Sequence, residues 1–324
     1  MFQLPFEIKP SSFKISIKDQ IILMGSCFAE NIGQKLIGYK FKCLTNPTGV
    51  IYNPISLFKL LETAIHKNVD QKRVIKNGEI FYHWDAHSTV SANAKDKLIE
   101  SYIARLQATK STIQSAKVLI VTFGSSWVYR HQSSDAIVAN CHKIPQKEFT
   151  KSILSVNQIV DSYQEAIRSV RSINPELHII FTVSPVRHIK DGLAQNNLSK
   201  SVLIQAVNEI VNIDKKASYF PSYELIIDVL RDYRFFKEDM VHPTDQAIQY
   251  VWKEFVNVYF DQQTRDFILE WDKILKDINH RPFHPESAAH QIFLKSLVNK
   301  LKSYQDVVDI STELKKTEDQ LIVS

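Results

Sequence analysis

Gln20-Ile21-Ile22-Leu23-Met24-Gly25-Ser26-Cys27-Phe28-Ala29 is the stretch whose reading decides the fold. An apolar, β-rich run that stops at a glycine reads as a buried strand ending in a tight turn. The residues after the turn take up a helical period, so a strand feeds directly into a helix. Lys40 to Leu44 reads as the next strand, closed by the turn Asn46-Pro47-Thr48-Gly49. A helix follows, with Asn53 as its cap, Pro54 at its first position and an apolar stripe through Leu57, Leu60, Leu61 and Ala64.

The same alternation continues down the chain. Val118 to Phe123 is the most strand-like segment and ends at Gly124; His178 to Val183 is another, ending at Ser184-Pro185. Helical period is expected over Ile153 to Val170 and Ser199 to Ile213, and Tyr223 to Val229 reads as the last strand. Thr244 is placed to cap a helix through about Phe260. Residues 69 to 93 read as an insertion with a hairpin at Asn77-Gly78, and residues 127 to 145 as a second excursion. Strands alternating with helices imply an α/β fold with about five parallel strands and helices on both faces.

Length and composition agree with one core plus an appendage. The chain has 324 residues, 44% of them hydrophobic, enough for a sizeable interior. From Asp261 onward the period is helical and no strand appears, so residues 1–260 are expected to form the main domain and 261–324 a C-terminal helical extension. The formal charge of +5 is mild and no basic block occurs, so nucleic acid is not indicated as a partner. Phe, Trp and Tyr lie at core spacings and not on a base-stacking platform. No apolar run is long enough to cross a bilayer. The start, Met1 to Glu7, lacks the features of a signal peptide. Cys27, Cys43 and Cys141 are odd in number and lack metal-ligand spacing. A cytoplasmic location is the resulting expectation, with no cofactor and no metal; oligomeric state is not legible.

In open parallel sheets, ligands bind beyond the carboxyl ends of the strands. Ser26 stands there, on a glycine that permits the turn and at a helix start that offers free N–H groups to a developing oxyanion. A serine hydroxyl needs a base at neutral pH. Asp239-Met240-Val241-His242-Pro243-Thr244, after the last expected strand, supplies His242 with Asp239 three residues before it, within reach of its Nδ1–H. Asp277 and His280 repeat that spacing inside a helical pattern with no strand before them, and read as a surface pair. Cys27, near a helix start, is better placed than most cysteines to be reactive, but reads as a small packing residue on the helix face. His83, Asp85 and His87 invite a metal, but the hairpin before them argues for extended chain and against a helical ligand face. His87, His142 and His188 are candidates to line the substrate cleft.

These residues carry a resemblance. Gly25-Ser26-Cys27-Phe28-Ala29 matches the word that names the GSCFA family, a bacterial branch of the SGNH/GDSL hydrolases. Asn46 to Pro54, Thr122 to Tyr129, Asn140 to Lys143, Ser184 to His188 and Asp239 to Thr244 resemble further segments of that family, in order. The resemblance implies a flavodoxin-like three-layer α/β/α sandwich and a Ser26, His242, Asp239 site working through an acyl-enzyme. It implies oxyanion donors at the Ser26 N–H and at Gly49. The third block of the superfamily reads Gly-x-Asn-Asp, and here Gly124-Ser125-Ser126-Trp127 lacks the asparagine. Ser126 or Asn140 then has to supply that donor, and Asn140 is favoured for the longer reach of its amide. The expected substrate is a small-molecule or carbohydrate ester, such as an acetylated sugar, by analogy with the superfamily. An acyltransferase using the same residues is the alternative, and a non-catalytic carbohydrate-binding member of the fold is a second.

Overall fold

A computed structural model describes residues 5–322; Met1 to Leu4, where the stretch read for a signal peptide begins, lie outside the described residues. Strand β1, Gln20–Gly25, runs into helix α1, Cys27–Gly38, and then strand β2, Lys42–Thr45. Helix α2, Pro54–His66, has Asn53 as its cap, whose side chain accepts from the Ser56 N–H. The first excursion holds β3, Val74–Asn77, β4, Ile80–His83, and β5, Ser91–Ala92, and is followed by helix α3, Lys95–Ser115. Strand β6, Val118–Phe123, leads into the second excursion, with β7, Trp127–His131, β8, Ala136–Val138, and β9, Phe149–Ile153. Helix α4, Val156–Ile173, strand β10, His178–Val183, helix α5, Leu193–Ile213, and strand β11, Ala217–Tyr219, complete the wound part.

The five strands lie in the order β11-β10-β6-β1-β2, all parallel. Their side chains sort by parity onto two faces, as the period of a strand requires. Ile21, Leu23, Val118, Ile120 and Ile180 face one core with α1. Ile22, Met24, Leu119, Val121, Ile179 and Phe181 face the other with α2, α3, α4 and α5. The result is a three-layer α/β/α sandwich of flavodoxin-like form.

Three expectations need correcting. Tyr223 to Val229 is not a strand. The short helix α6, Ser222–Glu224, passes into a π-helical turn over Leu225–Leu230, and the fifth strand lies earlier at Ala217–Tyr219. The β-rich composition misleads there because Leu225 and Ile226 are buried as neighbours on one helical turn, and Ser222 ties the turn to β10 by donating to the Val183 carbonyl. Ile153 is not helical, since Phe149–Ile153 pairs antiparallel with β7; α4 begins later, behind the reciprocal capping box of Ser155 and Gln158. Helix α5 begins at Leu193, six residues before the expected Ser199. The two excursions pack on each other through Trp84, Val138 and Phe149.

Helix α7, Asp245–Tyr259, covers the α1 face, capped by Thr244. Helices α8, Gln262–Ile278, α9, Ala288–Lys302, and α10, Ser311–Glu318, extend the same core: Phe267, Trp271, Ile274, Leu297 and Leu301 are all buried in it. Among the described residues no helix is long and apolar enough to cross a membrane.

Candidate active site

The site is built on the turn between β1 and α1. Gly25 sits at φ +134°, and a Cβ there would overlap the Thr122 carbonyl of β6, so only glycine lets the two central strands close at this end. Its N–H donates to Asn46 Oδ1 (2.9 Å) and its carbonyl accepts from Ile51 (3.0 Å). Ser26 is nearly fully buried and caps α1: its Oγ accepts the Phe28 N–H at 3.3 Å. Its own N–H donates to the Thr122 carbonyl at 3.2 Å. Cys27, at the first helical position, is only partly buried. Its Sγ lies 3.7 Å from the Tyr52 hydroxyl, and its N–H has no hydrogen-bond partner among the described residues. Burial and the neighbouring thiol hold the Tyr52 phenol above its ordinary range, so it stays protonated.

The loop before α7 brings the second group. Asp239 Oδ2 lies 2.6 Å from His242 Nδ1, while Oδ1 accepts the N–H groups of Val241 and His242, each at 2.9 Å. Those bonds to the charged form, led by the backbone N–H of His242, pull the carboxyl down to about 2. The loop is closed by the Lys237 N–H on the His242 carbonyl at 2.7 Å and by an isolated bridge between Phe236 and Pro243. With Nδ1 held by a carboxylate, Nε2 is the ring atom left for chemistry.

A third wall comes from the end of β10. Lys200 of α5 is fully buried, and its Nζ donates to the carbonyls of Gly124 (2.6 Å) and Ser184 (2.7 Å), tying two strand-end loops together. Burial lowers this amine to about 7. His188 packs edge-on against Tyr52 at 5.3 Å, and burial, then the nearby Lys200, lowers it to about 4, so its ring is neutral at physiological pH. Ser26, Cys27, Tyr52, Gly124, Ser184, Val186, Arg187, His188, Val241 and His242 enclose one cavity of about 160 Å³. A larger cavity of about 540 Å³ lies among the C-terminal helices, lined by Asp277, His280, Phe283, Ser287 and His290 among others, and among the described residues no hydrogen bond joins the Ser287 hydroxyl to a histidine ring.

Ser26, His188 and His242 thus share one cavity, with Asp239 behind His242. The other sequence-derived residues do not line it. The Gly49 N–H is taken by the Asn46 carbonyl at 2.8 Å, which leaves no free donor there. Asn140 Oδ1 accepts the His142 N–H at 2.8 Å and the Ser88 hydroxyl at 3.2 Å, closing a turn of the second excursion. Ser126 is fully buried, and its hydroxyl donates to Ser199 of α5. His142 is held between Ser88 Oγ and the His83 carbonyl, and burial lowers it to about 4. His87 lies over Gly49, its Nδ1 against Thr89 Oγ1 and its N–H on the Thr48 carbonyl. Asp85 is spent on a two-pronged bond from Arg73 and a contact with Lys59, and no group suited to hold a metal occurs among the described residues. Cys27, weighed as reactive but read as a packing residue, is open to the cavity, and Tyr52 and Arg187, read only within longer segments, line it too.

A family model described as the GSCFA family matches residues 20–255, and one described as the C-terminal domain of GSCFA domain proteins matches residues 271–323. No curated protein matches. Solved structures similar to this chain include a carbohydrate esterase of family 3 from Talaromyces cellulolyticus, at 8% identity and TM-score 0.33, covering 79% of this chain and 99% of that one. Another is an acetyl xylan esterase from the rumen bacterium Butyrivibrio proteoclasticus, at 12% identity and TM-score 0.33, covering 81% of this chain and 67% of that one.

Proposed function

The chain belongs to the GSCFA family, and from that premise we propose that it cleaves an acyl ester through a covalent acyl-enzyme formed in the cavity between the β1–α1 turn and the Asp239–His242 loop. The observation that carries this reading is the Asp239–His242 pair, bonded at 2.6 Å, on the same small cavity as the nucleophile-bearing turn. A binding module has no use for a base oriented in this way. His242 Nε2 takes the nucleophile's proton as it attacks the ester carbonyl, and Asp239 offsets the charge on the imidazolium. The tetrahedral intermediate collapses, and the departing alcohol oxygen takes that proton from His242. Water then repeats the sequence on the acyl-enzyme and releases the acid. A second hydroxyl compound in place of water would make the same residues an acyltransferase.

The nucleophile sits on the turn, and the sequence points to Ser26. A second reading puts it on Cys27, the less buried of the two. The Ser26 amide donates to Thr122, while its hydroxyl accepts from Phe28 and keeps its own proton for a base. Cys27 has its side chain in the cavity and its amide unspent at the positive end of α1. In that reading the Cys27 N–H and the Tyr52 hydroxyl hold the oxyanion, in place of Gly49 and Asn140. The three free thiols fit the cytoplasmic placement expected from the sequence. Labelling with a fluorophosphonate and with iodoacetamide, each followed by peptide mass spectrometry, separates the readings. Ser26→Ala abolishes turnover by roughly three orders of magnitude if Ser26 attacks; Cys27→Ala does so if Cys27 attacks. Retention of turnover in both variants removes the acyl-enzyme altogether.

A further inference from the structure

Arg187 has no role in the chemistry proposed above, yet it is the one lysine or arginine among the described residues that line the cavity. Its guanidinium stacks on Phe236, with Cζ 4.7 Å from the ring centroid, and reaches Tyr233 at 5.8 Å. No carboxylate among the described residues lies within ion-pair distance of it. Its Nη1 is shut off from the cavity, while the other nitrogens of the fork have no hydrogen-bond partner among the described residues. An unpaired guanidinium on a cavity wall is free to take an anion. Phe236 covers one face of the guanidinium, and the planar edge of the fork is the side suited to an anion. That edge matches a carboxylate in two parallel bonds.

Building on the acyl-ester reading, we propose that the substrate is an acyl ester that also bears a carboxylate, with the carboxylate held by Arg187. Arg187 and His242 line the same cavity of about 160 Å³, so ester and carboxylate belong to one molecule.

The test compares 4-acetoxybenzoate with 4-acetoxybenzamide, its neutral counterpart, and with 4-acetoxyphenyl phosphate, in wild type, Arg187→Gln and Arg187→Lys. A charge-assisted bond to the fork is worth about 10- to 150-fold in kcat/KM. Wild type should prefer the benzoate over the benzamide by that factor, Arg187→Gln should bring the ratio near one, and Arg187→Lys should keep part of it. A ratio near one in wild type, or one unchanged in Arg187→Gln, overturns the proposal. A phosphate preferred to the benzoate overturns the carboxylate assignment. If Arg187→Gln does not fold, the wild-type ratio and Arg187→Lys decide. If wild type turns over none of the three esters, the acyl-ester reading fails on its own. Calorimetric binding of 4-hydroxybenzoate against 4-hydroxybenzamide then judges Arg187 separately: tighter binding of the anion that is lost in Arg187→Gln supports the site, and equal binding overturns it.

Discussion

Replacing Asp239 by Asn tests the pair at the centre of the proposed mechanism, because it changes charge and tautomer with almost no change of shape. Asn keeps one carbonyl oxygen, enough to go on accepting the Val241 and His242 N–H groups that Oδ1 now accepts at 2.9 Å, so the loop should hold. The position of Oδ2, 2.6 Å from His242 Nδ1, becomes an amide NH₂. An amide there donates, so Nδ1 must accept and the proton moves to Nε2, the atom that has to act as base. The imidazolium also loses its counter-charge. In a buried triad the corresponding change costs about 10⁴ in kcat. Here the Asp239 and His242 side chains are 50% and 44% exposed, so water takes over part of the carboxylate's work, and a loss of about 10²–10³ is expected. The assay is the pH–rate profile on an activated acetate ester, with Asp277→Asn as control. Asp239, held at about 2, stays ionised across the profile. The depressed carboxyl also contributes stability above its unfolded value of 3.8, which is lost as pH falls from 3.8 through about 2. An Asp239→Asn variant with wild-type kcat, or an equal loss in Asp277→Asn, would refute the reasoning.

Tyr52→Phe should lower kcat about tenfold to a hundredfold with little change in KM if its hydroxyl holds the oxyanion; a change confined to KM would count against that role. Asn140→Ala removes the acceptor of the His142 N–H and should cost about 1–3 kcal/mol in urea unfolding; a loss of a hundredfold or more in kcat without loss of stability would return Asn140 to the oxyanion hole. Lys200 is lowered by burial from 10.5 to about 7, so between those values the unfolded chain binds the proton and the folded one does not, and wild-type stability should rise with pH across that window. Lys200→Met should remove that rise, and parallel unfolding curves for the two proteins would show that the amine keeps its proton when folded. Gly25→Ala, forced against the Thr122 carbonyl at a positive φ, should destabilise the protein by at least about 2 kcal/mol, read by the same unfolding assay.

Local signals made much of this molecule legible in the sequence. Val118–Phe123 and His178–Val183 are strands at the bounds their apolar runs predict, and Asn53 and Thr244 cap the helices they precede. These features depend on residues a few positions apart, so composition and period carry them. For the same reason Asp239 and His242 are readable as a pair, being three residues apart on one loop. Tertiary structure decided the rest. Tyr223 to Val229 has strand composition, yet Ser222 anchors it to β10 as a helix. Reach favours Asn140 over Ser126 as a donor, yet neither lines the cavity: Ser88 and His142 hold the Asn140 carbonyl in the second excursion, and Ser199 holds Ser126. Ser26 and Cys27 are neighbours in sequence, but a carbonyl from β6, nearly a hundred residues on, takes the amide of the first and leaves that of the second unspent. Sequence determined which elements form and where strand ends place reactive side chains. The remaining hydrogen-bonding capacity of each of those side chains depends on partners that only the packed sheet brings within 3 Å or so.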